Sequence, residues 1–146
     1  MTLLLAGDIG GTKTSLALFS PQQGMHRPLA EATFASADYP NLESIVSLFL
    51  SQVHYQRIER ACFGVAGPVV NGRASITNLP WVIDEVELRR ALGIPQMRLI
   101  NDLFAVASAV PHLGSDDLHT LNAGQSAPGG AIAIVAPGTG LGEAFL

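Results

Sequence analysis

Short apolar segments alternate with turn-forming residues along most of the chain. The first two apolar segments, 3–6 and 15–19, are each about the length of a strand, and they flank Gly10-Gly11. Adjacent glycines between two such segments predict a hairpin. Residues 29–34 can supply a third antiparallel strand. The chain is therefore predicted to begin with a β-meander.

A helix is predicted over residues 41–53, because apolar residues recur there at helical spacing and Asn41 can cap the first turn. His54 follows this helix, and we expect a structural or surface role for it. Residues 58–65 form a nearly continuous apolar run, typical of a parallel strand buried on both faces. Cys62, the single cysteine, lies in this run, so we expect a buried free thiol.

Local turn and capping signals organise the middle of the chain. Asn71-Gly72 predicts a second hairpin. Residues 77–81 read as an irregular loop that ends at Trp81, which we expect to pack in the core. Asp84 and Glu87 have the spacing of a capping box, and the helix that they begin should stop at Gly93.

The last third predicts a connection followed by a second strand–turn–strand unit. A short strand at 97–100 leads through Asn101-Asp102 into a helix that Pro111 closes. Residues 112–130 are mostly loop, 131–136 should be a buried strand, and 143–146 a returning strand. We therefore expect a small α/β lobe over 1–111, a connection over 112–130, and the start of a second lobe over 131–146.

Composition favours a globular α/β protein that acts on a small molecule. Hydrophobic residues make up 48% of the 146 residues and charged residues only 14%. The net charge is −4 and the eight Lys and Arg are scattered, so we expect no nucleic-acid partner. No apolar run is long enough for a membrane span and no signal peptide is evident, which predicts a cytoplasmic protein.

The first glycine turn has the chemistry of a phosphate site. Amides of Gly11, Thr12 and Lys13 can point together at an anion, and Asp8 can hold a phosphate-bound Mg²⁺, directly or through water. It is not a P-loop, because Thr12 stands where that motif needs Gly before the Lys. It is not a dinucleotide fingerprint either, because residues 15–19 alternate like a strand rather than opening a helix.

A second glycine turn and a polar pair extend this picture. Gly138, Thr139 and Gly140 again offer bare amides, and two such hairpins suggest two lobes that grip one nucleotide. At the end of a strand, Asp102 can accept the proton of an attacking hydroxyl while the Asn101 amide fixes another hydroxyl. The alternative is that Asp102 serves only as a helix cap, although both roles can coexist.

Five motifs together carry a family resemblance, and they occur in the family's order along nearly the whole chain. They are Gly-Asp-Ile-Gly-Gly-Thr-Lys-Thr at 7–14, Val-Ala-Gly-Pro-Val at 65–69, Thr-Asn-Leu-Pro-Trp at 77–81, Leu-Ile-Asn-Asp-Leu at 99–103 and Pro-Gly-Thr-Gly-Leu-Gly at 137–142. The chain resembles the N-terminal portion of bacterial glucokinases, which belong with hexokinase, actin and Hsp70. The resemblance implies a ribonuclease H-like mixed sheet with flanking helices, forming a small lobe plus the beginning of a large lobe.

The resemblance also implies an activity and a role for each matching residue. The activity is phosphorylation of the glucose 6-hydroxyl with ATP and Mg²⁺. Asp102 would be the catalytic base, Asp8 would bind Mg²⁺ through water, and the remaining matches would bind substrates. The implied sugar ligands are Asn101, Thr77, Asn78 and Gly138, and the implied phosphate ligands are Gly10, Gly11, Thr12, Lys13, Gly138, Thr139 and Gly140.

The chain is only about half as long as the proteins of this family. The resemblance therefore implies an N-terminal fragment with little or no turnover alone, and exposed apolar surface makes a homodimer a candidate assembly. Two alternatives stay open. One is a related repressor/kinase-group sugar kinase that acts on another hexose or an amino sugar, and the other is a non-catalytic sugar or nucleotide sensor.

Overall fold

The computed structural model describes residues 2–24, 26–53, 57–125, 127–137 and 141–146. They divide into two compact units, Met1–Asp102 and Leu103–Leu146. The strands are β1 (Leu4–Ile9), β2 (Lys13–Phe19), β3 (Ala30–Ala35), β4 (Arg60–Val65), β5 (Arg73–Ser75), β6 (Val82–Asp84), β7 (Gln96–Asn101), β8 (Ala133–Pro137) and β9 (Leu141–Phe145). The α-helices are α1 (Leu42–Gln52), α2 (Glu85–Leu92) and α3 (Asp102–Ala109), and short 3-10 helices span Pro21–Gln23, Ser36–Asp38, Val110–His112 and Ser115–Asp117.

The first unit is built on a mixed five-stranded sheet of order β3-β2-β1-β4-β7. The meander is confirmed, since β2 pairs antiparallel with both β1 and β3. Both β4 and β7 run parallel to β1, as expected for strands that return through helical crossovers. The predicted mixed α/β sheet with flanking helices is therefore confirmed, although β1 and β2 extend further toward the glycine turn than their apolar residues indicated.

One face of this sheet forms the core. Inward residues such as Leu5, Leu16 and Phe63 are buried in one cluster with Ile45 and Phe49 of α1. Alternation along each strand places these side chains on the same face, while a 3.6-residue period gives α1 its apolar stripe. The sheet and α1 thus bury their apolar faces against each other.

The opposite face of the sheet is open, and this corrects two predictions. Arg60 and Cys62 of β4 are exposed, whereas Ala61, Phe63 and Val65 are buried. Burial on both faces was therefore wrong for the first half of β4, and Cys62 is not a buried thiol. An apolar run fixes which side chains can be buried, but burial needs an element that covers them, and the first unit covers one face only.

Local signals were confirmed at most turns and caps. Asn41 caps α1 by accepting from the Ser44 amide, and Asp84 caps α2 by accepting from the Val86 and Glu87 amides. Gly93 ends α2 in a left-handed conformation with φ 63°. Among the described residues, no hydrogen bond returns from the Glu87 side chain to the Asp84 amide, so the capping box is one-sided.

The middle of the first unit is a small β-substructure. Asn71 and Gly72 form the predicted tight turn, with φ values of 51° and 72°, between Val70 and Arg73. Strands β5 and β6 pair antiparallel around the 76–81 segment, and β6 was not predicted because three residues carry little pattern. Trp81 is buried, as predicted, and its indole N–H donates to the Tyr39 carbonyl at 3.2 Å.

The second unit contains the rest of α3 and the antiparallel β8–β9 pair. The described residues of 112–130 are mostly irregular, as predicted, and include a 3-10 turn at Ser115–Asp117. The strand at 131–136 was expected to be buried, but in β8 only Ile134 is. A two-stranded ribbon that is covered on one face buries only alternate residues, which explains the difference. No helix among the described residues is long and apolar enough to cross a membrane.

Candidate functional site

The three parallel strands end in one row, which gathers the candidate residues at one sheet edge. In the strand register Ile9 of β1 lies beside Val65 of β4, and Val65 lies beside Asn101 of β7. The chain after each of these residues carries the first glycine turn, the Ala66–Gly67 turn and Asp102. Ligands of open α/β sheets commonly bind at this edge, and the register brings these three predicted segments to it.

The Asn101 side chain orients Asp102. Its Nδ2 donates to the Asp102 Oδ1 and to the Gly67 carbonyl, each at 2.9 Å. Gly67 can present that carbonyl because its φ of 140° suits glycine and few other residues. Two directed bonds thus hold Asn101, which in turn limits the rotation of the Asp102 carboxylate. Asp102 is also the first residue of α3, so its helix-terminal position was correctly foreseen.

Asp8 faces the same edge from β1 and is electrostatically linked to Asp102. The residue is exposed, yet partial burial of its carboxyl raises the pKa of Asp8, and the negative charge of Asp102 raises it further. A cation bound nearby would offset the repulsion between these two carboxylates.

The donor set suits Mg²⁺ carried by a nucleotide. No cluster of three or more acidic, His or Cys residues that could hold a metal occurs among the residues that the structure describes. Mg²⁺ commonly binds through one or two carboxylates, with water and substrate phosphate completing its shell, rather than in an all-protein cage. Asp8, with Asp102 near it, fits that mode.

The first glycine turn lies against the predicted sugar loop. Gly10 closes the turn by donating its N–H to the Lys13 carbonyl at 2.8 Å, and the tip residues Thr12 and Lys13 are exposed. A Cβ at Gly11 would lie 2.5 Å from the Thr77 carbonyl oxygen, so only glycine fits there. The structure therefore brings Thr77 next to the turn. Asn78 follows with a φ of 68°.

Two buried hydroxyls support the turn from behind, and the sequence did not reveal them. The Ser36 hydroxyl donates to the Gly10 carbonyl at 2.8 Å and lies 3.0 Å from the Thr14 hydroxyl. The Ser36 N–H donates to the Thr12 carbonyl at 3.0 Å. Ser36 is 26 residues from Gly10 along the chain, so no local motif could have signalled this contact.

The contacts of the second glycine turn are not described. Gly138, Thr139 and Gly140 lie outside the described residues, as does His54. Their predicted roles stay predictions.

Comparison with known proteins identifies the family of the chain. A family model described as glucokinase matches residues 5–146, nearly the whole chain. The chain belongs to the glucokinase family. The turn, the Asn101-Asp102 pair and the Thr77 loop therefore belong to a glucokinase-family chain, as the five sequence motifs indicated.

Individual glucokinases agree over the full chain but are longer. The chain is 47% identical over 148 residues to a glucokinase of Nostoc punctiforme, covering 100% of this chain and 43% of that protein. It is 41% identical over 152 residues to a Synechocystis glucokinase, covering 97% of this chain and again 43% of that protein. The chain thus spans less than half the length of these curated relatives.

Solved structures show the same fold. A crystal structure of a glucokinase from an Antarctic psychrotroph matches with a TM-score of 0.86 at 36% identity, covering 100% of this chain and 46% of that one. A ROK-family glucokinase from Streptomyces griseus, solved with glucose and AMPPNP, matches at 24% identity with a TM-score of 0.65 over 99% of this chain and 44% of that one. At 24% identity, the second match shows a shared fold only.

Proposed function

We propose that this chain is part of an ATP-dependent glucokinase that transfers the γ-phosphoryl group of ATP to the 6-hydroxyl of glucose. The observation that carries the proposal is the pair of hydrogen bonds from the Asn101 amide, which hold the Asp102 carboxylate at the sheet edge. A carboxylate fixed beside a phosphate-binding turn is what phosphoryl transfer to an alcohol requires. Membership of the glucokinase family supports glucose as the sugar, and ATP is the donor that we propose.

Asp102 acts as the general base in this proposal. It accepts the proton of the glucose 6-hydroxyl as that oxygen attacks the γ-phosphorus, and the bond to the ADP leaving oxygen breaks. Asn101 keeps the carboxylate oriented and, with Thr77 and Asn78, holds the sugar. Gly138 is a further proposed sugar contact. Because the transition state is loose, correct placement of the two substrates supplies most of the rate enhancement.

The phosphates bind to glycine-turn amides. Gly10, Gly11, Thr12 and Lys13 form the first turn, whose exposed tip and close packing against the Thr77 carbonyl support a site beside the sugar. Gly138, Thr139 and Gly140 are proposed to hold phosphate from a second turn. Mg²⁺, held by Asp8 through water, would neutralise phosphate charge when bound.

Two proteins of the same fold were solved with ligands of the proposed kind. The Streptomyces griseus protein was solved with glucose and AMPPNP, and a Balamuthia mandrillaris glucokinase, 23% identical with a TM-score of 0.67, with glucose. AMPPNP is an ATP analogue, so a protein of the same fold binds both proposed substrates together.

Hexose phosphorylation with and without Asp102 tests the proposal. We would assay ATP-dependent phosphorylation of a hexose panel by this chain and by the full product of the gene that encodes it. Turnover selective for glucose and lost in Asp102→Ala is the expected result, with little or none from the 146 residues alone. Turnover that survives Asp102→Ala would refute the base assignment, and binding of sugar without any turnover would point to a sensor.

Two wider expectations belong with this proposal. The cytoplasm is the proposed compartment, and residues 1–111, 112–130 and 131–146 are the proposed small lobe, connection and start of the large lobe.

The open sheet face, with exposed residues such as Cys62, supports self-association of this chain as a homodimer. A strictly monomeric sedimentation profile would contradict the dimer.

A further inference from the structure

The hydroxyl of Ser36 is the buried end of a short relay behind the first glycine turn. Ser36 and Thr14 are both fully buried, with 0% exposure. The Ser36 hydroxyl has one proton, and it goes to the Gly10 carbonyl at 2.8 Å. The 3.0 Å contact between the two hydroxyls must therefore be a bond that Thr14 donates to Ser36. The relay runs from Thr14 through Ser36 to Gly10.

This relay sets the direction of the next amide. In a trans peptide the carbonyl and the following N–H point in opposite directions across one rigid plane. When Ser36 draws the Gly10 carbonyl toward the buried side, the Gly11 N–H turns the other way, out of the core. The backbone N–H of Ser36 also holds the Thr12 carbonyl, at 3.0 Å. One residue thus anchors the turn on both sides of Gly11.

We propose that Ser36 is a positioning residue for nucleotide phosphate, with Thr14 as its hydrogen-bonding partner. The inference rests on the proposed kinase function, in which the Gly11 N–H binds phosphate. Ser36 touches no substrate and acts only through the orientation of the turn. A glycine turn is conformationally permissive, so without an anchor its amides would not stay aligned on an anion.

Removal of the hydroxyl should loosen this alignment selectively. In Ser36→Ala the Gly10 carbonyl loses its buried donor, and the peptide plane is free to rotate until the carbonyl finds water. The Gly11 N–H then leaves the phosphate direction. The catalytic carboxylate is held by a different set of bonds, from the Asn101 side chain to the Gly67 carbonyl and to Asp102. Nucleotide affinity should therefore fall by more than glucose affinity, which depends on the turn only through its contact with Thr77.

The test is steady-state kinetics on the full gene product. We expect Ser36→Ala to raise KM for ATP roughly tenfold and to leave KM for glucose within about twofold. If Ser36→Ala does not fold, Thr14 supplies the second comparison. Thr14→Val, which removes the hydroxyl, should raise KM for ATP about threefold, and Thr14→Ser, which keeps it, should not.

Thr33→Val is the matched control. The Ser15 hydroxyl of β2 and the Thr33 hydroxyl of β3 pair at 3.1 Å on the opposite, open face of the sheet, where Ser15 is half-buried and Thr33 is exposed. This variant should leave both KM values unchanged. Equal rises in both KM values for Ser36→Ala, or no rise at all, would overturn the inference.

The proposed function and this inference can fail separately. A wild-type protein that phosphorylates glucose, together with an unchanged Ser36→Ala, refutes only the inference. A wild-type protein that binds ATP but phosphorylates no sugar refutes the kinase, and the inference is then judged by titration with ATP, where Ser36→Ala must weaken binding. A wild-type protein that binds no ATP refutes both.

Discussion

Replacement of Gly11 by alanine is a sharp test of how closely the turn and the sugar loop are fitted together. The new Cβ would lie 2.5 Å from the Thr77 carbonyl oxygen, and ordinary contact begins near 3.4 Å, so the two segments must separate by about 0.9 Å. The obstacle is backbone, which cannot rotate away as a side chain can. The strain must therefore move the turn, the loop or both.

The expected consequence is a large loss of catalytic efficiency in a protein that still folds. A misplacement of about 1 Å at a reacting geometry lowers the rate about 100-fold. That factor equals about 2.7 kcal/mol of transition-state free energy. Overpacking itself costs about 1–3 kcal/mol of folding free energy. We expect kcat/KM of the full gene product to fall about 100-fold in Gly11→Ala, with a folded protein by thermal denaturation.

Gly124→Ala is the control for this substitution. A Cβ at Gly124 meets no atom within 4 Å, so the same chemical change should leave activity unaltered. If Gly11→Ala keeps kcat/KM within about twofold of the wild type, the turn and the Thr77 segment are not in fixed contact, and the reasoning fails.

Three further predictions concern the frame around the site. Asn41→Ala removes the N-cap that accepts from the Ser44 amide at 2.9 Å, and should lower the free energy of unfolding by about 1 kcal/mol in urea titrations; an unchanged midpoint would contradict it. The Glu87 N–H bond is the main reason that the pKa of Asp84 lies below its ordinary value of 3.8. The charged carboxylate therefore stabilises the fold at pH values above 3.8, and this stabilisation is lost as the pH falls through the pKa of the folded state. Asp84→Ala should thus lower Tm at pH 7 and match the wild type in strong acid. A Tm difference independent of pH would argue against this charge effect. Cys62 is exposed in this chain and should react completely with a maleimide in the folded state, but more slowly than a free thiol at pH 7, because partial burial raises the pKa of its thiol. Protection until unfolding would show that the open face is covered.

Features encoded by neighbouring residues could be predicted from the sequence. Asn41, Asp84 and Gly93 act within one helical turn of their own position, so their caps were predicted correctly. The Asn71-Gly72 turn and the meander follow from equally short patterns. The motifs of the candidate site are contiguous segments as well, so the sequence could locate them, while the ligands proposed for them stay predictions.

Features that depend on distant parts of the chain could not be predicted. Cys62 and the residues of β8 are as apolar as core residues, but their burial depends on whether another layer covers them. Ser36 looks like any serine after a strand, and only the pairing of β2 with β3 brings it behind Gly10. Sequence patterns identify which side chains can be buried or bonded, and tertiary structure decides which of them are.

Because the three parallel strands end at the same position in the sheet, insertions and deletions within them would displace the candidate site residues. Strands β1, β4 and β7 each have six residues, and Ile9, Val65 and Asn101 align at their ends. Loss of one residue within β7 would turn Asn101 to the opposite face of the sheet, because side chains alternate. Insertions and deletions should therefore be purged from the strands themselves.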